Sequence, residues 1–184
     1  MRYILAAALA FCLAACSTVG LNLPSVSGSL DPVRDDVASL LIAFDLPRGL
    51  GPATSGQLFT FDVPNGGPSE HLRATLVQAD ADQAVGLPPP ADGRAYYLFA
   101  LSESSKAQIR AAQAAAQSRG VPGSSIQLGI VPHLCSSGPV DQNALTVSIF
   151  ATLAGRSNVY PFMNRETLAA VLQQPGSTQL ALCS

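Results

Sequence analysis

The sequence predicts an α+β domain, a mainly antiparallel β-sandwich of about seven strands with two short helices. Three observations predict it. Short apolar runs recur between Pro- and Gly-rich turns from residue 40 to the C-terminus. Two stretches carry helix start and stop signals. The chain has 184 residues, of which 48% are hydrophobic and only 12% charged, against a usual charged fraction of roughly 25%. Disordered chains run the other way, with much charge and few aliphatic residues. A chain of this length buries enough core for one domain without a metal or a mesh of disulfides.

The strands come first. Leu40 to Leu46 is an aliphatic run stopped by Pro47 and the Gly49-Leu50-Gly51-Pro52 turn. Gln57 to Val63 alternates, with Phe59, Phe61 and Val63 on one face, and closes at Pro64-Asn65-Gly66-Gly67-Pro68. Leu72 to Ala79 and Ala95 to Leu101 follow, separated by a loop containing Pro88, Pro89 and Pro90. Ile126, Leu128 and Ile130 repeat the two-residue period. The clearest strand is Leu145 to Leu153, where Leu145, Val147, Ile149, Ala151 and Leu153 face one way and Thr146, Ser148 and Thr152 the other. Leu180 and Leu182 make a short terminal strand.

Two helices interrupt the strands. The first is expected from Ser105 to Arg119, opened by the capping box Ser105-Lys106-Ala107-Gln108 and stopped by Gly120 and Pro122. Its apolar face is thin, with Ile109 the one large residue among alanines, so it packs closely through small side chains or covers a sheet edge. The second is expected from Arg165 to Gln173, entered at Asn164, stopped by Pro175-Gly176 and buried through Leu168, Val171 and Leu172.

The N-terminus has the profile of a signal peptide: Met1-Arg2-Tyr3, then an uncharged run from Ile4 to Ala15 rich in Ala and Leu. That run is shorter than the about 20 residues a membrane span requires. It ends in Leu13-Ala14-Ala15-Cys16, which resembles the lipobox of bacterial lipoproteins. The resemblance implies cleavage before Cys16, a thioether-linked diacylglycerol on its sulfur and acylation of the new amine. One acyl chain binds a bilayer only marginally, whereas two or three hold a protein there. The resemblance further implies sorting by the next residue, and Ser17 in place of Asp favours the outer membrane. Residues 1–15 are thus the expected signal peptide, 16–30 the lipidated N-terminus and flexible tether, and 31–184 a single periplasmic domain.

The cysteine count follows from that resemblance. With Cys12 in the discarded segment and Cys16 lipidated, Cys135 and Cys183 remain. An oxidising periplasm allows them one intramolecular bond. The rival is a reactive Cys135 sharing a face with His133 two residues away. From Ala95 onward the order strand, helix, strand, strand, helix, strand also admits a ferredoxin-like C-terminal half. In that fold the second and fourth strands lie on opposite edges, too far apart for the about 4.4–6.8 Å between Cα atoms that a disulfide needs. The sandwich is therefore the expectation, with the ferredoxin-like half as its alternative.

No catalytic pattern is present: no nucleophile elbow, phosphate loop, dinucleotide fingerprint or His-Glu-x-x-His. Glu70-His71 reads as a solvated strand start, since neighbours on an extended chain point apart. Asp80-Ala81-Asp82 with Asp92 resembles a calcium loop, but Ala84 and Val85 stand where a third oxygen ligand and the turn glycine belong, so it reads as a polar loop. Phe150 and Tyr96-Tyr97-Leu98-Phe99 place large side chains on faces that a helix or second sheet is expected to cover. Ten Lys plus Arg against twelve Asp plus Glu give a net charge of −2, without the basic surface that nucleic acid requires. The expectation is a membrane-anchored lipoprotein without cofactor or metal, acting as a structural or protein-binding component of the envelope and not as an enzyme. The alternative is a small periplasmic enzyme or ligand-binding module using His71 or His133.

Overall fold

The computed structural model describes residues 30–183, apart from 55, 68–69, 81–82, 84–85, 155, 175 and 177–178. The signal segment, Cys16 and the tether up to residue 29 lie outside the described residues, as do Asp82, Ala84 and Val85 of the acidic loop.

The architecture is α+β and mainly antiparallel, as expected, with ten strands among the described residues. A seven-stranded sheet contains β1 (Leu40–Pro47), β3 (Leu58–Asp62), β4 (His71–Gln78), β5 (Arg94–Leu101), β6 (Gln127–Val131), β8 (Thr146–Leu153) and β9 (Val159–Thr167). Their order is β6-β3-β4-β5-β1-β8-β9 and every pairing is antiparallel. A three-stranded sheet, ordered β10-β7-β2, joins β2 (Leu50–Pro52), β7 (Leu134–Ser136) and β10 (Ala181–Leu182). The ferredoxin-like alternative is excluded: β6 and β8 stand far apart in the large sheet, and β10 belongs to the small one.

The aliphatic run of β1 is explained by its position between β5 and β8. A strand covered on both faces is apolar on both. Leu40, Ile42, Phe44 and Leu46 enter the main core, while Leu41 and Ala43 join Leu98 in a smaller cluster on the opposite face. All seven strands of the large sheet contribute to the main core, together with Leu50 of β2 and Leu134 of β7. The large sheet therefore curls about one interior that the small sheet helps to close.

The first helix, α1 (Glu103–Ser118), starts two residues earlier than the capping box suggests. Ser102 is the N-cap, its hydroxyl accepting from the Ser105 amide, and Ser105 is buried. Several serines compete for this role, and the one that lets Ile109, Ala112 and Ala116 face the core wins. Gly120 adopts the left-handed conformation expected beyond the C-terminus, with φ of 68°. Gln113, on the buried face, donates to the carbonyls of Pro32 and Asp35 and so docks the domain's entry segment on the helix.

The second helix, α2 (Leu168–Leu172), is shorter than expected, and Thr167 caps it, not Asn164. The residues read as its entry are strand: Thr167 and Glu166 pair with Thr146 and Val147. A bulge in β9, where Asn164 and Arg165 oppose the single residue Ser148, lets Arg165 turn at φ of 54° and donate its amide to Ser148 Oγ. Tertiary pairing has overridden a local helix signal. The same applies to β2, read as a turn from Gly49 to Pro52, which pairs with β7.

Candidate functional site

Cys135 and Cys183 form a disulfide with Cα atoms 5.0 Å apart, which removes Cys135 as a free nucleophile. The bond joins β7 to β10, which lies parallel to it through Ala181↔Cys135 and Leu182↔Ser136. Cys135 is buried and Cys183 exposed. Leu182, beside it, is the most exposed large hydrophobic among the described residues, at 74%.

Next to this bond lies a polar bridge that no motif announced. Gln57, 1% exposed, accepts the His133 amide at 2.8 Å and donates to the carbonyls of His133 at 2.6 Å and Ala53 at 3.2 Å. One side-chain amide thus stands in for the ladder hydrogen bonds missing where the chain enters β3. His133 packs on Gly56, whose φ of 98° suits glycine alone and where a Cβ would meet His133 Nδ1 at 2.7 Å. His133 Nε2 is buried and has no hydrogen-bond partner among the described residues. Gln57→Leu keeps the bulk but orphans the His133 N–H, so a loss of about 1–3 kcal/mol is expected in urea unfolding. An unchanged midpoint would show that the bridge carries no stability.

Glu70 and His71 point apart, as expected, but only His71 is exposed. Glu70 is 6% exposed, a correction to its reading as solvated. It pairs with Arg119 at 2.7 Å beyond α1 and accepts the Gly67 amide at 2.9 Å. A buried carboxylate requires such partners. His71 stands opposite Asp62 across the β3–β4 ladder, with Nδ1 3.2 Å from Oδ1. Among the described residues, no three of His, Cys, Asp and Glu converge as a metal site would need. No helix of the described residues is long and apolar enough to cross a membrane.

The opposite face of β1, β5 and β8 is mixed. Arg94 grips Asp45 through Nε at 2.7 Å and reaches the carbonyls of Asp45 and Thr146 through Nη2. Tyr96 lies opposite Asp45. Burial, and then the Asp45 carboxylate, push its phenol above the ordinary tyrosine range, while Arg94 pulls it back. Leu41, Ala43 and Leu98 are covered by Ala79 and Leu87 from the loop between β4 and β5. The cover is this loop, not the helix or second sheet expected for Leu98. Ala79 and Leu87 pack on this cluster, whereas α1 packs on β4 and the entry segment. Tyr97 and Phe99 face the main core, and Phe150 is half-buried between Ala43 and Pro161.

Beyond this cluster, at the ends of β1 and β8, opens a cavity of about 290 Å³. Leu41, with Ala100 and Thr152 opposite it on the two neighbouring strands, lines it, along with Ser39, Leu153 and Lys106 from the first turns of α1. Lys106 Nζ lies 2.6 Å from Oε1 of exposed Glu103. That hydrogen bond and charge hold the Glu103 carboxyl below its usual range. Neither histidine is among the described residues lining the cavity. Sequence reasoning missed it because it is assembled from ordinary residue types on strand ends more than a hundred positions apart. No family model, curated protein or solved structure matches the chain.

Proposed function

We propose that this chain is a bacterial lipoprotein, anchored through Cys16 to an envelope membrane, in the outer membrane by the Ser17 rule. Its domain faces the periplasm and acts by contact with an envelope partner or as a structural component. The observation that carries this reading is the Cys135–Cys183 bond. Disulfides persist in oxidising compartments and are rare in the cytosol, so a paired domain fits an exported chain. The bond also accounts for both cysteines of the expected domain, leaving Cys16 at the end of the apolar run as the thiol available for lipid. The polar surroundings of the two histidines give catalysis less support: His71 is an exposed cross-strand partner of Asp62, and His133 is packed against Gly56.

The test is intact-mass measurement of protein extracted from membranes of cells expressing the full chain. The expected species begins at Cys16 and carries diacylglyceryl and N-acyl mass. Cys16→Ala is expected to abolish the acyl mass and cleavage at Cys16. A mature N-terminus at Cys16 without acyl mass, or a chain cut elsewhere in the leader, overturns the anchor. If the anchor stands, crosslinking in the intact envelope should trap a defined partner.

A further inference from the structure

We infer that the cavity at the ends of β1 and β8 binds a short aliphatic chain bearing an anionic head, of the size of a six-carbon carboxylate. This site is independent of the anchor and goes beyond the contact role proposed above. Three features converge on it. The volume, about 290 Å³, lies at the lower end of the range for small-molecule pockets, so the occupant is small. Ala100 lies opposite Leu41 on the face where the larger Leu98 stands two positions earlier on β5, and the depression it leaves is floored by aliphatic groups suited to methylenes. The polar groups are arranged to hold one end of a ligand. Thr152, 4% exposed, lines the cavity. A hydroxyl on the wall can hydrogen-bond an oxygen of a ligand held in the cavity.

Lys106 supplies the sign. Among the described residues lining the cavity it is the one that carries charge. Its present partner, Glu103, is 87% exposed and lies on the same helix face. Exposed ion pairs of that kind contribute little, so a carboxylate entering the cavity can share or take the ammonium. The hydroxyl of Ser39, close by, is already committed to the Asp36 carbonyl. The site thus offers a cation and the Thr152 hydroxyl above an aliphatic floor.

The test uses the full lipidated chain in nanodiscs of zwitterionic lipid, observed through methyl NMR, with hexanoate as probe and 1-hexanol and hexylamine as comparators. Hexanoate is expected to give saturable shifts concentrated at the methyls of Leu41, Ala100 and Thr152, with hexylamine binding more weakly. Lys106→Met should weaken hexanoate about five-fold, a surface ion pair's share, while leaving 1-hexanol unchanged. Ala100→Leu should fill the floor and weaken all three probes. Non-saturable shifts, shifts scattered over the surface, or hexylamine binding as tightly as hexanoate would overturn the proposal. So would loss of 1-hexanol binding in Lys106→Met, a substitution on an accessible helix turn that leaves the core intact. Should anionic nanodisc lipid alone reproduce the shifts, the occupant is a membrane lipid, and the free carboxylate is refuted.

Discussion

Replacing Cys135 and Cys183 together by alanine is expected to destabilise the fold by about 4 kcal/mol, the chain-entropy value for the 48-residue separation they bridge. For a domain of this size that lowers the thermal midpoint by about 10 °C. The loss has a local face as well. β10 has two paired residues, both exposed, and only the neighbouring Leu180 reaches the main core. Without the bond, that short parallel pairing has little to hold it. Amide exchange should therefore accelerate at Ala181, Leu182 and Cys183 while the central strands β1 and β8 stay protected. Thermal and urea unfolding, with hydrogen exchange on the oxidised and alanine forms, measure both effects. Equal midpoints would show that the bond is dispensable. Exchange rising uniformly across β1 and β8 would show instead that β10 is part of the cooperative core.

A second large effect is expected at Phe44. Its side chain is fully buried at the middle of β1, facing Tyr97 on one neighbouring strand and Ile149 on the other. Its ring centroid lies 4.9 Å from that of Phe99, tilted by 48°, an arrangement that favours the contact of one ring's edge with the other's face. Phe44→Ala removes these contacts and leaves a cavity that a sheet paired on both sides cannot close by shifting. The expected cost is about 3–5 kcal/mol, comparable to the total stability of a marginal domain. Phe44→Leu should recover much of it. Urea unfolding of the three forms checks the order; an alanine variant within about 1 kcal/mol of the parent would remove Phe44 from the core.

These two substitutions probe different kinds of information. Phe44 sits in an aliphatic run that reads as buried from composition alone, because a strand with both faces covered needs no polar positions. The alternation of β3 and β8 is equally legible, since the period of two directly states which residues share a face. The β9 strand was not legible. Pro161 and the run Asn164-Arg165-Glu166 look like a loop leading into a helix, and only the partner strand β8 makes the segment extended. These same residues suit an edge strand, where proline, charge and a bulge discourage pairing with other chains.

The site divides along the same line. The cysteine pair could be named once the lipobox resemblance had set Cys12 and Cys16 aside, because two remaining thiols have one pairing. Gln57 could not, because its importance lies in the His133 backbone it meets 76 positions away. The cavity was equally hidden: Leu41, Thr152 and Lys106 are unremarkable one by one and acquire a shared role only where three strand ends and a helix meet.

What the chain determines by itself is local. Periodicity marks strands and helices, capping residues and glycines mark ends, and the leader with its terminal cysteine marks the expected anchor. The tertiary structure decided the rest: that β1 lies between β5 and β8, that β10 runs parallel to β7, and which polar groups meet. Apolar strands of similar length are nearly interchangeable as hydrogen-bond partners. Their order is settled by how their side chains fill one common interior, and no window of sequence contains that packing.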